Sequence, residues 1–145
     1  MTNNYDSLKL SNQLCFPLYA VSKEIIRGYK PYLDELDITY TQYITMMVMW
    51  EDQSISVKKL GEKLFLDSGT LTPVLKTLEK KGYVTRQRFA EDERVLIVTV
   101  TDEGMKLRDR AVEIPSKISN CVTLEPEEAV NLAKTLNKIM NQFRE

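Results

Sequence analysis

The amino-acid sequence predicts a mainly α-helical protein with one small β-hairpin, an α+β fold. Apolar residues recur at helical spacing through most of the chain, which is typical of amphipathic helices. One stretch after Gly82 changes instead to an alternation of apolar and polar residues. The 145 residues, of which 43% are hydrophobic, are enough for one core of ordinary size. We therefore expect a single domain over residues 1–145.

The first predicted helix is marked by two prolines. Pro17 indicates a start near Cys15, or a distorted first turn, because proline cannot donate to the carbonyl four residues back. Ser11 or Asn12 is the possible N-cap. Pro31 predicts either a stop or a kink near the far end of this helix.

Three further helices are predicted before Gly82. The run TYTQYITMMVMWED is dense in apolar residues and predicts a buried second helix. SVKKLGEKLFL reads as a short amphipathic helix capped by Ser56, and DSGTLTPVLKTLEKKG as a longer one. The longer helix is capped by Asp67 or Ser68 and ends at Gly82.

The second half of the chain predicts a hairpin followed by two helices. YVTRQRF alternates, AEDER is charged and turn-like, and VLIVTV is a β-branched run of strand length. Thr101 is expected to cap a helix that is interrupted at Pro115, and Thr123 to open a last amphipathic helix. A pair of helices followed by a hairpin is typical of a winged helix-turn-helix.

Charge is distributed unevenly along the chain. Residues 54–100 hold nine Lys or Arg against six Asp or Glu, whereas the remainder holds eleven against fifteen. A basic module between acidic flanks suggests a contact with a polyanion. We therefore predict a DNA-binding lobe over 54–100, with helical dimerisation regions at 1–36 and 101–145. The expected partners are a second copy of the chain and a double-stranded, inverted-repeat operator.

In a winged helix-turn-helix the second helix of the pair lies in the major groove and the hairpin tip enters the minor groove. Arg94 is the candidate for the minor groove, oriented by Asp92. The remaining candidates for bases and phosphates are Ser68, Thr70, Thr72, Lys76 and Arg86. Alternatively, the helix over 68–82 is only a core helix and AEDER a solvated turn.

Several classes of site are excluded or disfavoured by composition. The chain has no histidine, and its two cysteines, Cys15 and Cys121, do not form a CxxC pair. Most zinc and haem sites and every histidine-dependent catalytic arrangement are thereby removed, and we expect no metal and no cofactor. No signal peptide or membrane-spanning run is apparent, so we expect a cytoplasmic protein without a membrane partner.

The motifs also carry a family resemblance. The run VKKLGEKLFLDSGTLTPVLKTLEKKGYVTRQRFAEDERVLIVTVTDEG resembles the DNA-binding core of the MarR family of transcriptional regulators, whose wing carries a D-x-R element, here residues 92–94. NQLCFPLYA with KPYLDELDITYTQY resembles a narrower branch, the OhrR-type organic-hydroperoxide-sensing repressors. The resemblance extends from about Leu8 to about Pro115 and weakens over the last helix. Pro17 departs from the pattern of this branch.

The resemblance implies that Cys15 is the redox sensor and that an organic hydroperoxide is the effector. A thiol reacts with a peroxide as the thiolate, which a helix start favours. Tyr29 and Tyr40 match the family's tyrosines that hydrogen-bond the sensing cysteine across the dimer. Cys121 falls where some members carry a second cysteine, which implies an intersubunit disulfide; other members use a small free thiol. Without the resemblance, Cys15 would read as a small core residue and Cys121 as a thiol at a helix end.

Three function classes follow. The first is a repressor released from DNA when Cys15 is oxidised. The second is a repressor of the same fold that is relieved by a noncovalent aromatic ligand. The third, ranked a distant last, is a thiol peroxidase, because no Thr/Arg pair lies beside the cysteine to polarise a peroxide; we expect a protein that is not an enzyme.

Overall fold

The computed structural model describes residues 4–144 of the chain. Two short 3-10 helices, Tyr5–Leu8 and Leu10–Asn12, come first. The α-helices and strands that follow are α1 (Cys15–Glu35), α2 (Tyr40–Asp52), β1 (Ser54–Ser56), α3 (Val57–Leu64), α4 (Ser68–Lys80), β2 (Val84–Phe89), β3 (Asp92–Val100), α5 (Asp102–Ala111), α6 (Ile114–Ile118) and α7 (Pro126–Gln142). The predicted class, mainly α with a small antiparallel sheet, is confirmed. The extreme ends of the predicted ranges, 1–3 and 145, lie outside the described residues.

Helix α1 begins at Cys15, as Pro17 indicates. Pro17 is the third residue of the helix, where the backbone N–H has no partner within the helix and its loss costs little. The predicted N-caps are wrong, because both residues lie in the 3-10 helix Leu10–Asn12 and the cap is Leu14, without a side-chain bond. Of the stop or kink predicted at Pro31, the stop is wrong, since α1 continues for four more residues.

The caps of the central helices agree with the sequence. The side chain of Ser56 accepts the N–H of Lys59 at the start of α3, and that of Asp67 accepts the N–H of Thr70 at the start of α4. Asp67, rather than Ser68, is therefore the cap of α4. Gly82 follows α4 with a φ of 84°, a left-handed conformation that favours glycine.

The second half of the chain differs from prediction in three places, the first being that β3 begins at Asp92, inside the run AEDER that was expected to be a turn. Thr101 caps α5 by accepting the N–H of Gly104, as expected. The interruption expected at Pro115 lies just before it, and the proline occupies the first turn of α6. Helix α7 does not begin at Thr123: Glu125 is its N-cap, in a reciprocal capping box, and Pro126 is its first residue.

The sheet has three antiparallel strands in the order β1-β3-β2. The β2/β3 hairpin was predicted, whereas β1 was not, because three residues leave no periodic signal. β1 pairs Ser54 with Thr99 and so adds a third strand to the hairpin, directly before α3. The side chains that are most deeply buried belong to this lobe and to α2: Met46, Met49, Leu60, Leu71, Leu75, Leu78, Val84 and Val98.

The described chain, residues 4–144, contains no helix that is long and apolar enough to span a bilayer. Within the same residues, no group of three or more acidic, cysteine or histidine side chains is arranged to hold a metal ion.

Candidate nucleic-acid interface and thiol site

Helix α4 has one face in the core and one open to solvent. Its inner face buries Leu71, Val74, Leu75 and Leu78. Ser68, Thr70 and Lys76 are exposed, and Thr72 is half-buried. The candidate base- and phosphate-contacting side chains on this helix are therefore accessible, while its opposite face packs into the core.

At the start of β3, Asp92 holds Arg94 with a fork of hydrogen bonds. Nε of Arg94 donates to Oδ1 of Asp92 at 3.0 Å and Nη2 to Oδ2 at 3.2 Å, while the backbone N–H of Arg94 donates to Oδ1 at 3.1 Å. These bonds from Arg94 lower the pKa of Asp92, so the carboxylate stays ionised. The Arg94 side chain remains 91% exposed, which leaves its outer edge free for another acceptor.

Arg86, by contrast, is turned inward. Its Nη2 donates to Oε1 of Glu79 at 3.1 Å, and its backbone N–H donates to Oε2 at 3.0 Å. Only 18% of the Arg86 side chain is exposed, and Nε is buried without a hydrogen-bond partner in the described chain. The hydrogen bonds of Arg86 lower the pKa of Glu79. In this geometry Arg86 ties the hairpin to α4, and its predicted DNA contact stays a prediction.

Eight of the nine basic residues of the lobe fall into two groups, and the ninth, Arg88, donates to the backbone carbonyl of Glu93 at 3.4 Å. Four are paired with acids in the described chain: Lys63 with Asp52, Lys81 with Asp37, Arg86 with Glu79 and Arg94 with Asp92. Four exposed lysines form no salt bridge among residues 4–144: Lys58, Lys59, Lys76 and Lys80. The second group is the better source of charge for phosphates, since no acid has to be displaced.

Three tyrosines from α1 and α2 form a cluster. The ring centroids of Tyr29 and Tyr40 are 5.1 Å apart, and Tyr43 lies 5.7 Å from Tyr29 and 6.4 Å from Tyr40. Burial raises the pKa of all three phenols, and mutual proximity adds to this for Tyr29 and Tyr43. All three phenols are therefore protonated at neutral pH and can act as hydrogen-bond donors.

Cys121 lies against this cluster, on the turn after α6. A Cβ atom built on Gly28 would be 3.0 Å from Sγ of Cys121, so the thiol touches α1 one residue before Tyr29. Cys121 also contributes to the raised pKa of Tyr29, after burial and Tyr40. Both cysteines are free and exposed in the single chain.

Cys15 lies far from the tyrosines of its own chain. It is the first residue of α1, thirteen residues before Gly28, which corresponds to about 20 Å along the helix. A disulfide needs Cβ atoms roughly 4 Å apart, so the two cysteines of one chain cannot pair. The apolar neighbours of Cys15, namely Leu14, Phe16 and Leu18, are exposed and form no closed pocket within one chain.

Sequence reasoning missed three residues that contribute to these arrangements. Tyr43 was recognisable, because it follows Tyr40 by three residues and shares its helix face. Gly28 and Glu79 gave no signal, since their partners, Cys121 and Arg86, come from separate elements of the fold.

A cavity of about 1070 Å³ opens between α3, the start of α4, β3 and the end of α7. Apolar side chains form most of its wall: Val57, Phe65, Leu66, Leu71, Val95 and Leu96. Ser68 and Arg94 also line it, so it borders the candidate DNA-binding face. The guanidinium of Arg144, at the end of the described chain, lies 4.9 Å from the Phe65 ring centroid.

These features define a winged-helix DNA-binding protein. The second helix of the pair is accessible, the adjoining hairpin presents an arginine, and the lobe carries several lysines without a salt bridge in the described chain. The family described as "Transcriptional regulator SarA/Rot" matches residues 27–111. The organic hydroperoxide resistance transcriptional regulator of Bacillus subtilis is 44% identical over 145 residues, which cover 100% of this chain and 99% of that protein.

Solved structures agree. Reduced AbfR bound to DNA has a TM-score of 0.78 at 36% identity, covering 97% of this chain and 98% of that one. AbfR is a protein of Staphylococcus epidermidis. The reduced form of MarR from E. coli has a TM-score of 0.69 at 26% identity, covering 88% and 96%. The chain belongs to the MarR family of transcriptional regulators, in the branch of the organic hydroperoxide resistance regulators.

Proposed function

We propose that this protein is a repressor that binds an inverted-repeat operator as a homodimer and is released when organic hydroperoxides oxidise Cys15. One observation carries the sensing part. Tyr29, Tyr40 and Cys121 are gathered at one place in the chain, whereas Cys15 lies about 20 Å away along α1. A second copy is therefore needed to bring a sensing thiol to the phenols.

The terminal helices support the dimer. Helix α1 buries only Leu33, and α7 buries no residue along its length, although both carry apolar stripes. Exposed apolar side chains include Leu14, Phe16, Leu18, Val21, Val130, Leu132, Leu136 and Met140. Apolar surface of this extent on a monomer is typical of a protein interface. A two-fold dimer would also present two copies of α4 to successive major grooves.

The chemistry needs one oxidant and two thiols. The Cys15 thiolate attacks the outer oxygen of the hydroperoxide, the O–O bond breaks, and the departing alkoxide takes a proton to become an alcohol. The resulting sulfenic acid condenses with the thiol of the partner subunit's Cys121 and releases water, forming a disulfide. Protonated Tyr29 and Tyr40 supply hydrogen bonds that favour the thiolate. Reduced thiols persist in the cytoplasm, where we place the protein.

The relative AbfR favours the disulfide as the event that releases DNA. Overoxidised AbfR bound to DNA resembles this chain with a TM-score of 0.76, close to 0.78 for the reduced DNA complex. Disulfide-formed AbfR gives only 0.65, at 38% identity and covering 93% of this chain. In that relative, an overoxidised form is found bound to DNA, and the disulfide form is less similar to this chain than either DNA complex is.

On DNA, α4 would read the major groove with Ser68, Thr70 and Thr72, and Arg94 would enter the minor groove, oriented by Asp92. Lys76 would neutralise phosphate. The protein would act as a switch and not as an enzyme, because turnover of peroxide would leave the DNA-binding lobe without a role.

The test is a gel shift on an inverted-repeat operator from the protein's own promoter region, with stoichiometric cumene hydroperoxide and matched non-reducing electrophoresis. We expect release of DNA together with a band of dimer size. Cys15→Ser and Cys121→Ser should each lose both the band and the release, and an added small thiol should restore release to Cys121→Ser only. Release from Cys15→Ser at the wild-type peroxide concentration would contradict the proposal.

The cavity beside Phe65 favours a second candidate, a repressor relieved by a noncovalent aromatic ligand. Its apolar wall and cationic edge suit a planar anion, and a ligand there would lie against Ser68 and Arg94. In this case Cys15→Ser would leave induction intact, whereas filling the cavity with Val57→Trp would abolish it.

A further inference from the structure

Gly28 has no conformational reason to be glycine. It lies in the interior of α1, where every residue has ordinary helical geometry and the one glycine with positive φ in the described chain is Gly82. Glycine in a helix interior is less favourable than alanine, because the unfolded backbone loses more freedom. Its presence therefore needs another explanation.

The explanation lies in what stands next to it. A Cβ on Gly28 would meet Sγ of Cys121 at 3.0 Å and Cβ of Cys121 at 3.9 Å. Both atoms that approach within 4 Å from other elements of the described chain thus belong to this one cysteine. A separation of 3.0 Å is tighter than ordinary van der Waals contact, so any side chain at position 28 would push the thiol outward.

The thiol seated there is next to the candidate sensing site. Tyr29 follows Gly28 directly, and its ring lies 5.1 Å from that of Tyr40. We infer that Gly28 is a positioning residue for disulfide formation. Because it has no side chain, it leaves room for the Cys121 thiol beside Tyr29, where the sulfenic acid of the partner subunit's Cys15 would form. This role rests on the proposed function, and it concerns the second step of that function, the formation of the disulfide.

The reaction that Gly28 assists is the condensation alone. The Cys121 sulfur attacks the sulfenic sulfur, the S–O bond breaks, and the hydroxide leaves as water with the proton of the thiol. Peroxide reduction by Cys15 precedes it and does not involve Cys121. Displacing Cys121 should therefore slow the second step and leave the first unchanged.

The test is the series Gly28→Ala and Gly28→Val, with Lys30→Val as a matched control on an exposed position of the same helix. Each full-length protein is treated with cumene hydroperoxide and quenched over time. Non-reducing electrophoresis measures the disulfide, and a dimedone probe measures the Cys15 sulfenic acid. We expect Gly28→Val to slow disulfide formation about tenfold or more, since a misplacement of an ångström costs up to about a hundredfold.

Further readouts separate positioning from a general disturbance. In Gly28→Val the sulfenic acid should form at the wild-type rate and accumulate, and free cysteine added to the solution should consume it as fast as in Cys121→Ser. Slowed sulfenic acid formation would overturn the inference, because the tyrosine site itself would then be disturbed. Gly28→Ala, which strengthens the helix, should fall between wild type and Gly28→Val and keeps the test valid if valine impairs folding.

Failure of the inference differs from failure of the proposed function. A wild-type protein that forms the disulfide at the same rate as Gly28→Val and Gly28→Ala overturns the role of Gly28 alone. A wild-type protein that forms no disulfide between Cys15 and Cys121 overturns the two-cysteine step, and the role of Gly28 with it.

Discussion

The DNA-binding lobe and the terminal helices place their apolar side chains in opposite ways. In the lobe, Leu60 and Leu78 are 0% exposed and Leu71 is 1% exposed, all within one chain. Along α7, Leu136 is 37% exposed and belongs to a helix that buries nothing. The lobe's apolar side chains lie in a core that they share with α2, α5 and the end of α1, whereas α7 has an apolar face without a partner in the described chain.

This difference separates the part of the chain that would bind DNA from the part that would sense the oxidant. A lobe that is packed within one chain keeps its shape whether or not it is assembled. In the proposed sensor, the thiol and the phenols lie about 20 Å apart within one chain, so sensing would require a second copy. In the proposed mechanism, an event at the interface between chains is linked to the spacing of two lobes, and the linkage is reciprocal: DNA that fixes the spacing should also make the disulfide less favourable at equilibrium.

The largest effect is expected from a cavity in the lobe. Leu78→Ala removes a side chain with no exposed surface and should lower the free energy of unfolding by about 3 kcal/mol. Urea titration followed by circular dichroism measures the change. The control, Leu136→Ala, should destabilise in a manner that depends on protein concentration. Equal losses at all concentrations for both variants would erase the contrast between the two regions.

Next is the charge variant Leu136→Asp, which should break the dimer. Burying a carboxylate in an apolar interface is costly, so sedimentation should show a monomer with an intact helical spectrum. Operator affinity should fall at least about a hundredfold, because one lobe alone cannot span both half-sites. Asn137→Asp introduces the same charge one residue along and should stay dimeric. A dimeric Leu136→Asp protein with normal affinity would assign the interface to another surface.

Elements specified by local chemistry were predictable. Ser56, Asp67 and Thr101 cap their helices as their sequence context predicts, because capping involves only the next three residues. The stop predicted at Pro31 was wrong because tertiary packing outweighs the local preference. Breaking a helix at an interior proline saves about 3 kcal/mol of local cost, but the helix beyond it buries Leu33 at 2% exposure, and packing offsets that cost.

The site was predictable only in part, and for the same reason. Tyr29 and Tyr40 came from resemblance, and the structure brings their rings together. Contacts that join separate elements could not be read from the sequence. Arg86 looked like a phosphate ligand because its charge is visible in the sequence, whereas its bond to Glu79 exists only once the hairpin packs beside α4.

A smaller effect should distinguish the two kinds of cation in the lobe. Lys76 is exposed without an acidic partner in the described chain, so Lys76→Gln should weaken operator binding several-fold and reduce the salt slope by about one. Arg86→Gln should weaken binding while leaving the slope nearly unchanged, because its guanidinium already contacts Glu79. Fluorescence titration from 50 to 200 mM salt measures both. Lys106→Gln, on α5, serves as the control.

The smallest effect concerns pH. The hydrogen bonds of Arg86 hold the pKa of Glu79 below its ordinary value of 4.5, so the folded state releases that proton more readily than the unfolded chain. The stabilisation is therefore present above pH 4.5 and is lost as the pH falls through the lower folded value. The melting temperature of wild type should exceed that of Glu79→Gln at pH 7 by roughly one or two degrees, and this gap should shrink as the pH falls below 4.5. A gap that does not change with pH would mean that the ion pair is not maintained in solution. Arg86 would then be free to contact phosphate, and its variant should lower the salt slope as that of Lys76 does.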